Sequence, residues 1–211
     1  MTEIRAVISD FGGVLTSPLL HSFAAFQLST GIPLDALGRA MAAVGARDGV
    51  NPLFRLERGE MTERDFLQSL GDAISEDLGR PVQMHGFADA YWAHLSLNEP
   101  MIELMGRLRD DGYRMALLTN NVREWEPRWR AMFAVDEIFE LVVDSAFVGT
   151  RKPEPAIYDL TLERLGEPAE ACVFVDDIEV NVDAARSLGM TGIWFRETGQ
   201  AIAEIEAAVG G

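Results

Sequence analysis

The stretch IRAVISDFGG, residues 4–13, runs from apolar residues into an acid and two glycines. A short apolar run closed by turn residues predicts a strand buried on both faces, followed by a loop. The pattern returns four times: MALLT at 115–119 ends on Asn120-Asn121, LVVDSA covers 141–146, CVFV at 172–175 ends on Asp176-Asp177, and TGIWF covers 191–195. Helical patterns at 100–111, 155–165, 179–188 and 197–209 separate or follow these runs. Pro155 suits a first turn, and Gly112, Gly166 and Gly189 suit helix ends. This alternation predicts an α/β fold, a doubly wound parallel sheet.

Residues 18–97 hold no convincing strand. Helices are predicted over 20–29, 34–46, 62–77 and 84–95, parted by Gly31-Ile32-Pro33, by Gly49 to Pro52 and by Gly79-Arg80-Pro81. The domain reading is therefore an α/β core of 1–17 and 98–211, with 18–97 as a helical cap inserted after the first strand. Both ends of the insertion return to the same sheet, which places the cap beside the first loop.

Composition narrows the function. The chain has 211 residues, 18 basic against 34 acidic, for a formal net charge of −16. Such a surface repels polyanions, so nucleic acid and anionic membranes are not expected partners. One cysteine excludes an intrachain disulfide and points to a reducing compartment. No apolar run approaches the ~20 residues of a membrane span, and the first ten residues lack a signal-peptide core. The expectation is a cytoplasmic protein; a homodimer is left open. Cys172 reads as an inert core thiol. Trp125, Trp129 and Phe133, spaced i, i+4, i+8, read as one helical stripe facing the core or a second subunit. The three histidines, His21, His85 and His94, show no partner pattern.

In an open α/β sheet, ligands bind at the carboxyl ends of the strands. Those ends here carry Asp10, Thr119 and Asn120, and Asp176 with Asp177. Seventeen of the eighteen basic residues are Arg; the one lysine is Lys152, in Arg151-Lys152-Pro153 shortly after the third strand. A carboxylate cluster with one cation and one hydroxyl fits Mg²⁺-dependent phosphoryl transfer, because Mg²⁺ takes hard oxygen ligands and leaves positions for phosphate. A carboxylate can attack phosphorus itself and form an aspartyl-phosphate.

Four segments in this order, Asp10-Phe11-Gly12-Gly13-Val14-Leu15-Thr16, Leu117-Leu118-Thr119-Asn120, Arg151-Lys152-Pro153 and Val173-Phe174-Val175-Asp176-Asp177 with Asn181 and Gly189-Met190, resemble the haloacid dehalogenase-like hydrolase superfamily over nearly the whole chain. The cap segment Leu56-Glu57-Arg58-Gly59-Glu60-Met61-Thr62 resembles the helical-cap branch, which includes sugar-phosphate phosphatases and the N-terminal phosphatase domain of epoxide hydrolases. The resemblance implies a Mg²⁺-dependent phosphatase acting on a small phosphorylated metabolite. It implies Asp10 as nucleophile and metal ligand, the Gly12 carbonyl and Asp177 as further ligands, and Asp176 close by. Thr119, Asn120 and Lys152 would bind the phosphoryl group, and Arg55 and Arg58 of the cap would face substrate.

One position departs from the family. Most of its phosphatases carry a second Asp two residues after the nucleophile to protonate the leaving group; here it is Gly12. Two alternatives follow: an impaired member that binds a phospho-ligand or a protein, and a metal-free 2-haloacid dehalogenase. The adjacent Asp176 and Asp177 argue against the latter, since carboxylates side by side repel without a cation.

Overall fold

The computed structural model describes residues 3–18, 27, 30–84 and 86–210. Five strands form one sheet in the order β3-β2-β1-β4-β5, and every pairing is parallel. They are β1 (Ala6–Ser9), β2 (Arg114–Thr119), β3 (Leu141–Asp144), β4 (Cys172–Asp176) and β5 (Thr191–Trp194). β1 lies at the centre, so the loop that follows it meets the loops after β2 and β4.

Apolar residues on both faces of the strands fix this arrangement. Val7, Leu117, Val173 and Ile193 point to one face, against Phe11, Met105, Trp129 and Ile205. Ile8, Leu118, Val143 and Phe174 point to the other, against Ile157, Tyr158 and Ala185. Alternation along each strand therefore feeds two cores, and the runs read as continuously hydrophobic. The flanking helices Glu99–Asp110, Pro155–Leu165, Glu179–Ser187 and Thr198–Val209 fall where periodicity placed them. Pro155 opens the second, and Gly166 closes it with a φ of 70°.

The run at 141–146 stops as a strand at Asp144, whose Oδ1 accepts from the Ala146 N–H at 2.9 Å and caps a short helix, Ser145–Val148. The stripe over 125–133 is not one helix. Pro127 lacks an N–H and fits only a first turn, so an α-helix starts afresh at Glu126–Arg130 after a 3₁₀ turn at Arg123–Trp125. Its members still pack inward: Trp129 is buried, with Trp125 and Phe133 half-buried against the same core.

Between β1 and residue 99 the described elements are helical: α1 (Leu34–Asp48), α2 (Pro52–Glu57), α3 (Glu63–Leu78) and α4 (Phe87–Ala93). The Thr62 hydroxyl caps α3 by accepting from the Asp65 N–H at 3.2 Å. The helix expected over 84–95 is shorter, because Gly86 adopts a φ of 76° immediately before α4. The helix expected over 20–29 lies outside the described residues apart from Gln27. α2 was not foreseen; six residues are too few for periodicity to show. The helices share a core of Ala36, Val44, Leu56, Phe66, Leu70 and Ile74. The chain leaves and re-enters the sheet region at one place, where Thr16 bridges Leu97 and the Ser17 N–H donates to the Ser96 carbonyl at 2.8 Å. Among the described residues no helix is long and apolar enough to cross a membrane.

Candidate active site

Asp10 follows β1, and its backbone N–H donates to the Val175 carbonyl at 2.9 Å, which ties the β1 loop to β4. Asp176 ends β4 and Asp177 follows it. Carboxylate oxygens of Asp10, Asp176 and Asp177 all lie within 4.8 Å of one another. Gly13 makes this approach possible: its φ is 79°, and a Cβ there would overlap the Asp177 carboxylate.

Lys152 reaches this cluster from the loop after β3 and is 1% exposed. Its Nζ lies 2.7 Å from Asp10 Oδ1 and 2.7 Å from Asp176 Oδ2, and donates to the Leu118 carbonyl at 2.9 Å. An ammonium has three donors, and here each has an acceptor. The other Asp176 oxygen accepts from the Ile178 N–H at 2.8 Å and from Asn181 Nδ2 at 3.0 Å. Both Asp176 oxygens are thus engaged, and Asp176 stands as the anchor of Lys152. Asn181 is held in turn: its carbonyl accepts from the Tyr158 hydroxyl at 2.9 Å. No role for Asn181 follows from the sequence beyond its place in the fourth motif, although its spacing of five residues from Asp176 is legible there.

Three carboxylates against one ammonium leave the cluster with excess negative charge. Burial pushes the Asp10 carboxyl up to about 8; Lys152 pulls against it, and Asp176 and Asp177 add to it. Burial, then repulsion from Asp176, pushes Asp177 up to about 6. Burial works against the Lys152 ammonium, but Asp10 and Asp176 outweigh it and its pKa rises. A buried group of oxygen ligands that disfavours its own ionisation fits a hard dication, which would relieve the repulsion.

Thr119 ends β2, 1% exposed, and its hydroxyl accepts from Asn121 Nδ2 at 3.5 Å. The neighbouring Leu118 carbonyl holds Lys152, so Thr119 and the ammonium belong to one wall. Asn120 uses its amide differently from the sequence expectation: Nδ2 donates to the Lys152 carbonyl at 3.0 Å, and Oδ1 accepts from the Lys152 N–H at 2.8 Å.

The helical segment meets this wall through α2. Arg151 pairs with Glu57 at 2.5 Å and stacks over the Phe54 ring at 4.0 Å; Arg58 pairs with Glu154. Arg55 is paired with Asp48 at 3.8 Å. The structure therefore brings together Asp10, Thr119, Lys152, Asp176 and Asp177. Arg55 pairs with Asp48 of α1, Arg58 with Glu154 of the Lys152 loop, and Arg151, beside Lys152 in the chain, with Glu57.

A family model described as haloacid dehalogenase-like hydrolase matches residues 4–189. The bifunctional epoxide hydrolase 2 of Sus scrofa is 28% identical over 98% of the chain, which spans 39% of that protein. Phosphatase MT3486 of Mycobacterium tuberculosis is 29% identical over 94% of the chain and 90% of its own length. A solved HAD family enzyme of Bacteroides thetaiotaomicron, in complex with magnesium and inorganic phosphate, superposes with a TM-score of 0.63 at 22% identity, covering 90% of this chain and 93% of its own.

Proposed function

Since the chain belongs to the haloacid dehalogenase-like hydrolases, we propose that it is a Mg²⁺-dependent phosphatase that cleaves a small phosphomonoester through an aspartyl-phosphate on Asp10. The observation that carries this reading is the Asp10–Lys152–Asp176 arrangement, with Asp177 beside it and Thr119 in the adjoining wall. Phosphatase MT3486 among its relatives supports it, as does the magnesium and phosphate bound by the Bacteroides thetaiotaomicron enzyme.

Asp10 and Asp177 would hold the metal, with the Gly12 carbonyl beside them. Bound there, Mg²⁺ would offset the carboxylate charge and polarise the phosphoryl oxygens. Lys152 fixes Asp10 through Oδ1, which leaves the other oxygen as the attacking atom. That oxygen bonds to phosphorus as the ester P–O bond breaks, and the departing alkoxide takes a proton from water, since Gly12 offers no acid. The Thr119 hydroxyl and Lys152 ammonium stabilise the transferring group. Water then attacks phosphorus, phosphate leaves, and Asp10 is restored. Residues 18–97 act as the cap, docked on the Arg151 loop through Glu57 and Phe54, and keep bulk water out during attack.

Dehalogenation is the weaker reading, because Asp177 adds a third carboxylate that a metal-free reaction leaves unbalanced. The experiment is hydrolysis of p-nitrophenyl phosphate with Mg²⁺, with chelator, and by Asp10→Asn. Turnover that needs the metal and vanishes in the variant supports the proposal. Wild-type turnover in the variant, or halide release from 2-haloacids in chelator without any phosphatase activity, overturns it.

A further inference from the structure

Phe54 and Glu57 of α2, with Arg58 at its C-terminal end, are spaced i, i+3, i+4 and so share one side of the helix. All three meet the turn that carries Lys152. The Arg151 guanidinium lies over the Phe54 ring at 4.0 Å, and its Nε donates to Glu57 at 2.5 Å. Arg58 donates to Glu154. The turn also closes on itself. The Glu154 N–H donates to the Arg151 carbonyl at 2.8 Å, and the Glu154 carboxylate accepts from the Thr150 hydroxyl at 2.8 Å and the Arg151 N–H at 3.3 Å. Gly59 extends the contact: its φ is 68°, and a Cβ there would overlap the Ala146 carbonyl and the Arg123 guanidinium. The backbone after α2 therefore lies directly on the short helix that follows β3.

The charges are reciprocal. Glu57 and Arg58 of the helical segment meet Arg151 and Glu154 of the core, and both pairs form in one register only. A shift that brought Glu57 to Glu154 would set like charges together. The Arg151 and Glu57 side chains are only 12% and 14% exposed, so salt screens their attraction little. Lys152 lies between the two gripped residues. From the sheet side, Asn120 holds its backbone N–H and carbonyl. From the other side, α2 holds the flanking Arg151 and Glu154. The Lys152 Nζ, 2.7 Å from Asp10 Oδ1, thus ends a chain of contacts that begins in the helical segment.

Resting on the phosphatase reading above, we propose that Glu57 and Arg58 are positioning residues: docking of the cap through these two ion pairs fixes the 151–154 turn and so sets the Lys152 ammonium against Asp10. Neither side chain needs to touch the substrate for this. Docking of the cap and completion of the charge arrangement around the nucleophile are then one event. This gives α2 a part in the chemical step beyond keeping water out.

Hydrolysis of p-nitrophenyl phosphate with saturating Mg²⁺, well below the thermal transition of each variant, tests the coupling. Glu57→Gln keeps the shape of the side chain and removes its charge; Arg58→Gln breaks the second pair and leaves the first. Each is expected to lower kcat by about tenfold or more while KM changes by less than about threefold. Glu57→Gln combined with Arg151→Gln should be no slower than the slower single variant, because the two residues act through one contact. Arg39→Gln is the control: it breaks pairing within the cap, to Asp35 and Asp77, and should leave kcat unchanged. Wild-type kcat in both Glu57→Gln and Arg58→Gln, a rise in KM alone, or an equal fall in Arg39→Gln overturns the positioning role and leaves the phosphatase reading intact. A kcat that rises would make the pairs a latch on product release, and overturns it as well. No hydrolysis by the wild-type protein overturns both. Where Glu57→Gln fails to fold, Arg58→Gln decides the matter.

Discussion

The Asn120 side chain closes on the Lys152 backbone from both sides, donating to its carbonyl at 3.0 Å and accepting from its N–H at 2.8 Å. Two hydrogen bonds from the end of β2 thus fix the loop that delivers the ammonium to Asp10. Asn120→Ala removes both and frees the loop. Misplacing a positioned catalytic group by about 1 Å costs on the order of 100-fold in rate. The expected result in steady-state assays is a fall in kcat of that order, with a loss of stability of roughly 1–3 kcal/mol by denaturant melt. A variant whose KM rises while kcat stays at the wild-type value would instead make Asn120 a substrate contact.

Lys152 itself should tolerate no basic replacement. Its Nζ meets three acceptors from three strand ends in a space closed to solvent. A guanidinium is planar and wider, and cannot send three donors to converging acceptors around one point. Lys152→Arg is expected to lower kcat/KM by at least about 100-fold. Lys152→Ala, which leaves two buried carboxylates without their counter-charge, should lower stability by about 3–5 kcal/mol unless the pH is lowered. Full activity in Lys152→Arg would show that any cation in the loop suffices.

How much of this was legible beforehand depended on range. β4 could be read because Cys172 to Val175 are apolar without a break, and Asp10, Lys152 and Asp176 because each falls at a strand end or in the loop after one. The Asn120–Lys152 clamp could not, since it joins residues 32 apart through a loop conformation that composition does not encode. The pairing of Arg151 with Glu57, 94 residues away, is hidden for the same reason. Trp125 and Trp129 showed helical spacing, and the burial it implied is present; one proline between them was enough to divide the helix.

Gly12 sets the third prediction. It is not among the glycines with positive φ, whereas Gly13 beside it is. A side chain at position 12 therefore asks no left-handed backbone of an L-residue. Gly12→Asp would supply the carboxylic acid that the leaving group lacks, and general acid catalysis is worth roughly 10²–10⁴-fold. The gain should appear with alkyl phosphates and shrink with p-nitrophenyl phosphate, whose leaving group needs little protonation. An equal change on both substrates would mean that the new carboxyl acts on something other than the departing oxygen. Gly13→Ala is the contrasting variant: its Cβ must displace Asp177, so activity should be lost.

The excess charge of the cluster predicts how metal and proton compete. Asp10 sits at about 8 and Asp177 at about 6, against an ordinary Asp value of 3.8. Between the ordinary and the folded values, the folded state holds protons that the unfolded chain has released. Stability contributed by these groups is therefore lost as pH rises from about 4 toward 8. In chelator, the thermal midpoint should be lower at pH 8 than at pH 5.5. Mg²⁺ binds the ionised carboxylates, so its stabilisation should be larger at pH 8, where fewer protons must be displaced. The net charge of −16 also favours unfolding as pH rises, so the slope in chelator is not specific to the site. Asp177→Asn separates the two causes: it removes a metal ligand and one repelling carboxylate while changing the total charge by a single unit. That variant should lose most of the Mg²⁺-dependent shift and gain midpoint in chelator at pH 8. A Mg²⁺ shift of equal size at both pH values, or one retained in Asp177→Asn, would place the bound cation somewhere other than between Asp10 and Asp177.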